Sequence, residues 1–348
     1  LLESLAAAAL PKLVSARPQD VANLLWSCAK CAYLNQPLSA AISAAAIKQI
    51  GEFSYHHLAS IAWSCATLIL TDEPLISSIS SASLRHMVEF EPQHLSIPAW
   101  AFATLSWRDG PLMAALAPSA LTSLTQFGLQ ELSNLSWAFS KLNVFYEPLM
   151  DAIAAASMTI LDAFDPMGLA SMLWSFASLV VWNEPLLHSL SSAALKRITS
   201  LFPRDISKLA WSLASIAFMD LPLMDALSSA ARASIGQFES QNISNTAWAF
   251  AALCLRNSPL FDALAAQALP TISNFQPQDI ACSAWAFARL QFENIPLLNA
   301  LAAAAVPLIS EFSMQSLSNL AWAMAKLAFA HEPLLASISC AAGNILKE

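Results

Sequence analysis

The chain has 348 residues, of which 57% are apolar and only 11% charged, and its net charge is −8. So much apolar side chain excludes intrinsic disorder, and the acidic balance excludes a domain that is basic as a whole. Six glycines argue against a turn-rich all-β protein, and six cysteines in this length are no disulfide framework.

One internal period organises the rest. Trp stands at 26, 63, 100, 137, 174, 211, 248, 285 and 322, every 37 residues. Pro follows eleven residues later each time, from Pro37 to Pro333, and Leu follows each of those prolines. Phe53, Phe90, Phe127, Phe164, Phe238, Phe275 and Phe312 close most units, with Leu201 in the remaining slot. These are nine complete repeats with no insertion. Residues 1–16 read as the second half of a further, partial repeat, and 1–348 as a single repeat domain. The chain starts on Leu1 with no signal-peptide pattern after it, so it reads as a fragment or a processed product.

Within a unit, a first helix opens at a proline eight before the Trp, as at Pro18, Pro92, Pro166, Pro203 and Pro277. Proline suits the first helical position, where its missing N–H costs nothing. With the Trp as position 0 and about 100° per residue, positions −5, −2, −1, +2 and +5 share one mostly apolar side, which predicts the buried face. Position −6 (Asp20, His57, His94, Glu131, Asp205 and Asp279 among others) lies at the helix start, where acids favour the dipole. Capping is its reading, with a second specificity position as the alternative.

A second helix opens at the strict proline. Asn35, Asp72, Asp109, Asn183, Asp220, Asn257 and Asn294 sit two residues before it, in good N-capping chemistry. It then runs with apolar residues three and four apart, as in Pro222 to Ala231. The predicted fold is all-α: an α-solenoid of about nineteen helices, nine complete 37-residue helix pairs plus a partial N-terminal repeat, in a right-handed superhelix. The uncharged stretch 167–182 contains Gly168 and three serines and is shorter than the about 20 residues a membrane span needs, so no span is expected.

Opposite the buried face runs a narrow stripe of positions −7, −3 and +4. Position −7 carries Gln19, His56, Gln93, Gln130, Met167, Arg204, Gln241, Gln278 and Gln315. Position −3 carries Asn23, Asn134, Lys208, Asn245 and Asn319, with Ser60, Ile97, Ser171 and Cys282 between them. Position +4 carries Lys30, Lys141, Arg289 and Lys326 among small residues. Six of these 27 residues are basic and none is acidic. Lys and Arg would meet phosphates, while Gln, Asn and Ser could bond base edges of a single-stranded RNA, one base per repeat. The alternative is an ordinary solvent-facing side whose Gln and Lys satisfy helix termini. The nine Trp lie beside the stripe. They are expected to pack on the small residues of positions −4 and +3 in the adjacent repeat, with base stacking as the alternative.

Cys28 and Cys31 have a metal-like spacing, but nothing completes a zinc site, and small buried thiols are the default. No glycine-rich phosphate loop and no paired carboxylates appear, so no catalytic residues, no metal, no cofactor and no small-molecule substrate are expected.

The first-helix blocks Gln130-Glu-Leu-Ser-Asn-Leu-Ser-Trp-Ala-Phe-Ser-Lys-Leu142 and Gln315-Ser-Leu-Ser-Asn-Leu-Ala-Trp-Ala-Met-Ala-Lys-Leu327, each followed by Glu-Pro-Leu, resemble the 37-residue heptatricopeptide repeats, close to the 38-residue octotricopeptide repeats. The resemblance covers essentially the whole chain. It implies a non-catalytic RNA-binding protein of a mitochondrion or plastid, acting on transcripts or ribosomal RNA. A protein-binding scaffold in a large organellar assembly, holding a subunit or peptide in its concave surface, is the other reading. The low charge and net acidity favour that second reading.

Overall fold

The computed structural model describes residues 2–345, with side chains placed for all of these except Gln93 and 342–345. Two compact units are distinguished, Leu1–Ala163 and Phe164–Glu348. In the first, α1 (Leu2–Ala9) and a 3-10 segment precede four helix pairs: α2 (Pro18–Lys30) with α3 (Gln36–Lys48), α4 (Tyr55–Leu68) with α5 (Glu73–Arg85), α6 (Pro92–Thr104) with α7 (Gly110–Ser123), and α8 (Leu129–Lys141) with α9 (Glu147–Thr159). The second unit holds five pairs: α10 (Pro166–Ser178) with α11 (Glu184–Lys196), α12 (Pro203–Ser215) with α13 (Leu221–Ala233), α14 (Ser240–Ala252) with α15 (Ser258–Thr271), α16 (Pro277–Arg289) with α17 (Ile295–Leu308), and α18 (Met314–Lys326) with α19 (Glu332–Ile345). No strand occurs among the described residues, and no described helix is long and apolar enough to cross a membrane. The protein is an all-helical solenoid of helix pairs.

Local chemistry sets each boundary. All seven Asn and Asp residues before the strict prolines cap the second helix. Each side chain accepts a hydrogen bond from the N–H three residues on, Asn35 from Leu38 through Asn294 from Leu297, at 2.9–3.1 Å. The last pair replaces the carboxyl or amide by an imidazole: His331 Nδ1 accepts from Leu334 N–H at 3.3 Å. In the fourth pair Tyr146 takes the slot and supplies no side-chain cap. Position −6 is a capping position too. Asp20, Glu131, Asp205, Asn242 and Asp279 accept from the backbone N–H three residues earlier, and His57 does so through Nδ1.

Every first helix ends the same way. Position +6 (Ala32, Ile69, Ser106, Asn143, Val180, Ala217, Cys254, Gln291, Ala328) has φ between 48° and 56°. Its N–H bonds the carbonyl at +3 at 3.0–3.2 Å, and the N–H at +7 bonds the carbonyl at +2 at 2.8–2.9 Å. This is a Schellman motif repeated nine times without a glycine. The residue at +7 is apolar throughout, from Tyr33 and Leu70 to Phe329, and packs back on the helix, as Phe292 does on Phe287 at 6.4 Å between ring centroids. The motif also accounts for Trp107, which is the +7 residue of its repeat.

First helices pack on one another far more extensively than second helices do. Small residues permit it. Ala or Ser occupies −4 and +3, and these are buried in nearly every first helix. In α18, which no further first helix follows among the described residues, Ser318 and Ala325 are exposed. Buried Ser and Asp side chains tie neighbours together. Ser244 Oγ donates to Asp279 Oδ1 at 2.7 Å, and Asn242 donates to Ser207 Oγ at 3.1 Å. Burial holds the Asp205 carboxyl above its ordinary range. Cys65 is fully buried, and its thiol is pushed up to about 12 by that burial, so it behaves as a small apolar residue.

Candidate nucleic-acid interface

The first helices build the surface of interest. Their −5 and +2 residues face the second helices and are buried, Cys28 excepted, so −7, 0 and +4 must face outward on the other side. Gln19, His56, Gln130, Arg204, Gln241, Gln278 and Gln315 are exposed at −7; the side chain of Gln93 lies outside those described. Lys30, Lys141, Arg289 and Lys326 are exposed at +4. Position −3 differs, because it leans against the preceding first helix. Asn134, Lys208, Asn245 and Asn319 are half-buried, and only Asn23, on the first complete repeat, is fully exposed.

Within each unit the positions form parallel rows across the helices rather than one mixed ribbon. Position −7 lies about 10 Å along the axis from the Trp, and +4 about 6 Å beyond it, at 1.5 Å rise per residue. An amide-rich row thus borders the N-terminal ends, indoles lie in the middle, and cations border the C-terminal ends. The cations at +4 also offset the negative helix terminus.

The six cations differ in freedom. Lys30 Nζ lies 5.5 Å from the Trp26 ring and 4.9 Å from the Trp63 ring, clamped between two repeats. Arg289 lies 5.4 Å over Trp285, and its Nε donates to the Ala251 carbonyl at 3.3 Å. Lys208 Nζ donates to Ser171 Oγ at 3.0 Å and sits 5.4 Å over Trp174. Burial, then the charge of Arg204, holds its ammonium below the usual lysine range. Arg204 itself reaches Met167 Sδ at 3.3 Å. None of the six forms a salt bridge with a carboxylate among the described residues.

The indoles are half-exposed, and Trp26 and Trp322 are 44% and 41% exposed. In the second unit their rings also approach one another. Trp211–Trp248, Trp248–Trp285 and Trp285–Trp322 centroids lie 6.1, 6.4 and 6.3 Å apart, with interplanar angles of 30–35°. The small −4 and +3 residues are buried in nearly every first helix, and in the second unit the rings of successive repeats form a ladder beside them.

In the first unit, histidines interrupt the amide row. His56 Nδ1 and His94 Nε2 are 2.8 Å apart, and His57 Nε2 lies 2.9 Å from Gln19 Oε1. Burial, and then the charge of His56, lowers both His57 and His94 below the ordinary imidazole value. Gln19 and Gln130 also bond Asn23 and Asn134 of their own helices at 2.9 Å.

A family model described as RNA-editing substrate-binding complex 6 protein matches residues 4–221 and again 221–346. No curated protein matches the chain. With the repeat, the helix pairs and the matched span all covering nearly its whole length, the chain belongs to the RNA-editing substrate-binding complex 6 protein family.

Proposed function

We propose that this protein is a non-catalytic RNA-binding solenoid that holds single-stranded RNA against its first helices. The observation that carries the reading is the set of six cations on this side of the first helices, four in the exposed +4 row with Arg204 and the half-buried Lys208 beside the amides, none in a salt bridge with a carboxylate among the described residues, in a chain of net charge −8. The family description, which names an RNA-editing substrate-binding complex, supports an RNA-related role as part of an assembly. The resemblance to organellar repeat proteins makes a mitochondrion or plastid the expected compartment. The partner-binding residues are Lys30, Lys141, Arg204, Lys208, Arg289 and Lys326 for phosphate, with the −7 and −3 amides beside them.

The test is fluorescence anisotropy with a random single-stranded RNA pool at two salt concentrations. Four phosphate contacts give a slope of about −2.8 in log affinity against log salt, or a loss of about 50-fold for a fourfold rise in salt. Changing Lys30, Lys141, Arg289 and Lys326 together to Glu should abolish binding in a protein that still melts cooperatively. Unchanged affinity in that variant would overturn the reading. A protein scaffold is the second reading. It is favoured by the exposed apolar loop residues Phe145, Trp182 and Met219, at 57%, 57% and 49% exposure.

A further inference from the structure

A cavity of about 620 Å³ opens in the second unit, on α12, α14, α16 and α18. Trp211 and Trp248 form part of its wall, with Asn245, Gln278, Gln315 and Asn319 around them. Its lining follows the amide and indole rows, from the N-terminal ends of the first helices to their middles. The chemistry of the lining is specific. These four amides make no hydrogen bond with the protein among the described residues, unlike the Gln19–Asn23 and Gln130–Asn134 pairs of the first unit. An amide offers both a donor and an acceptor edge. Two indole faces lie 6.1 Å apart beside them. Glu311 is the one charged residue in the lining, so the cavity repels phosphate rather than holding it. The cations of the same repeats, Arg289 and Lys326, stand on the opposite edge, beyond the Trp row.

We propose that this cavity takes the unstacked bases of a single-stranded RNA. The strand runs across the first helices with its bases turned toward the helix N-termini and its phosphates toward Arg289 and Lys326. A nucleotide is itself divided in this way, with a flat, uncharged base rich in donors and acceptors at one end and an anion at the other. The three rows match that division in order: amides for base edges, indoles for base faces, cations for phosphate. Stacking on Trp is tolerant of sequence, whereas amides bonding base edges discriminate. The second unit is therefore the base-reading part of the protein. This inference rests on the RNA-binding reading above.

The experiment compares an oligonucleotide with bases and an abasic ribose-phosphate strand of equal length, both at low salt. The full chain should bind the base-bearing strand about tenfold or more tightly. Trp248→Leu should remove most of that preference and leave abasic binding unchanged, and Trp248→Phe, which keeps an aromatic face and serves as the folding control, should retain it. Gln315→Ala with Asn319→Ala should alter the ranking among the four homopolymers. A 5-iodouridine strand should photo-crosslink to Trp211 or Trp248. Equal, salt-sensitive binding of both strands would overturn the cavity assignment while leaving phosphate binding intact. Failure of both strands to bind at low salt would remove the RNA reading itself, and the inference with it. Tight binding of an extended peptide, together with indifference to bases, would overturn it in favour of a peptide groove.

Discussion

Val180 tests the account of how the first helices end. It holds a left-handed backbone at φ 56° and is 76% exposed. Left-handed geometry costs an L-residue roughly 1–2 kcal/mol, and a β-branched side chain sits at the upper end. The two bonds of the motif, Val180 N–H to the Ala177 carbonyl at 3.1 Å and Val181 N–H to the Phe176 carbonyl at 2.9 Å, are made by backbone alone. Val180→Gly therefore keeps both bonds and gives up little buried area. Glycine loses more entropy on folding, a cost of about 0.4–1 kcal/mol. The net expectation is stabilisation by about 0.5–1 kcal/mol, read as a raised urea midpoint. Ile69, at φ 53° and 74% exposure, should respond alike. Asn143 occupies the same slot at φ 51°, but its side chain tolerates that region, so Asn143→Gly should be neutral or slightly destabilising. If Val180→Gly destabilised the protein as much as Asn143→Gly, strain at these positions would not be what limits the helix ends.

Three further outcomes are expected. Tyr146→Asp would supply the cap that the fourth pair lacks and should stabilise by about 1 kcal/mol in chemical denaturation. Asp279→Ala would remove the acceptor of both Ser244 and the Gln276 N–H and should cost about 2–3 kcal/mol, with fastest amide exchange at the α14–α16 contact. His57 and His94 are held below the ordinary value of 6.5. The unfolded chain therefore binds protons more readily than the folded one, and stability present above about pH 6.5 is lost as pH falls. His57→Asn should keep the cap, as Asn242 does in its own repeat, and reduce the acid loss seen by circular dichroism between pH 7.5 and 5.

Much of this architecture can be read before any coordinates, because each signal is local. A proline with an Asn or Asp two before it fixes a helix start through one side-chain bond, and a strict 37-residue period fixes the order of elements. The capping role of position −6 is legible for the same reason. The left-handed helix ends are not. Their usual mark is glycine, and here Ala, Ile, Ser, Asn, Val, Cys and Gln take its place. The constant apolar residue one step later is the only trace. The stripe of −7, −3 and +4 is legible as a face, but not its division into rows, nor that Lys208 would be drawn onto Ser171 and Trp174. Those depend on how neighbouring repeats approach, which no single helix encodes. The cavity arises from four repeats together and has no sequence mark of its own.

The uneven packing of the two helix layers has a mechanical consequence. First helices are joined through Ala and Ser with little side-chain bulk between them, and hydrogen-bonded Ser, Asn and Asp cross those seams. Second helices share far thinner contacts. Within each unit, bending should therefore be taken up by the second helices, which open and close like the leaves of a fan while the first helices act as their rivet line. Spacing from one Trp to the next would then stay nearly constant as the unit flexes. A ligand gripped along the first helices would keep its register while the second helices moved.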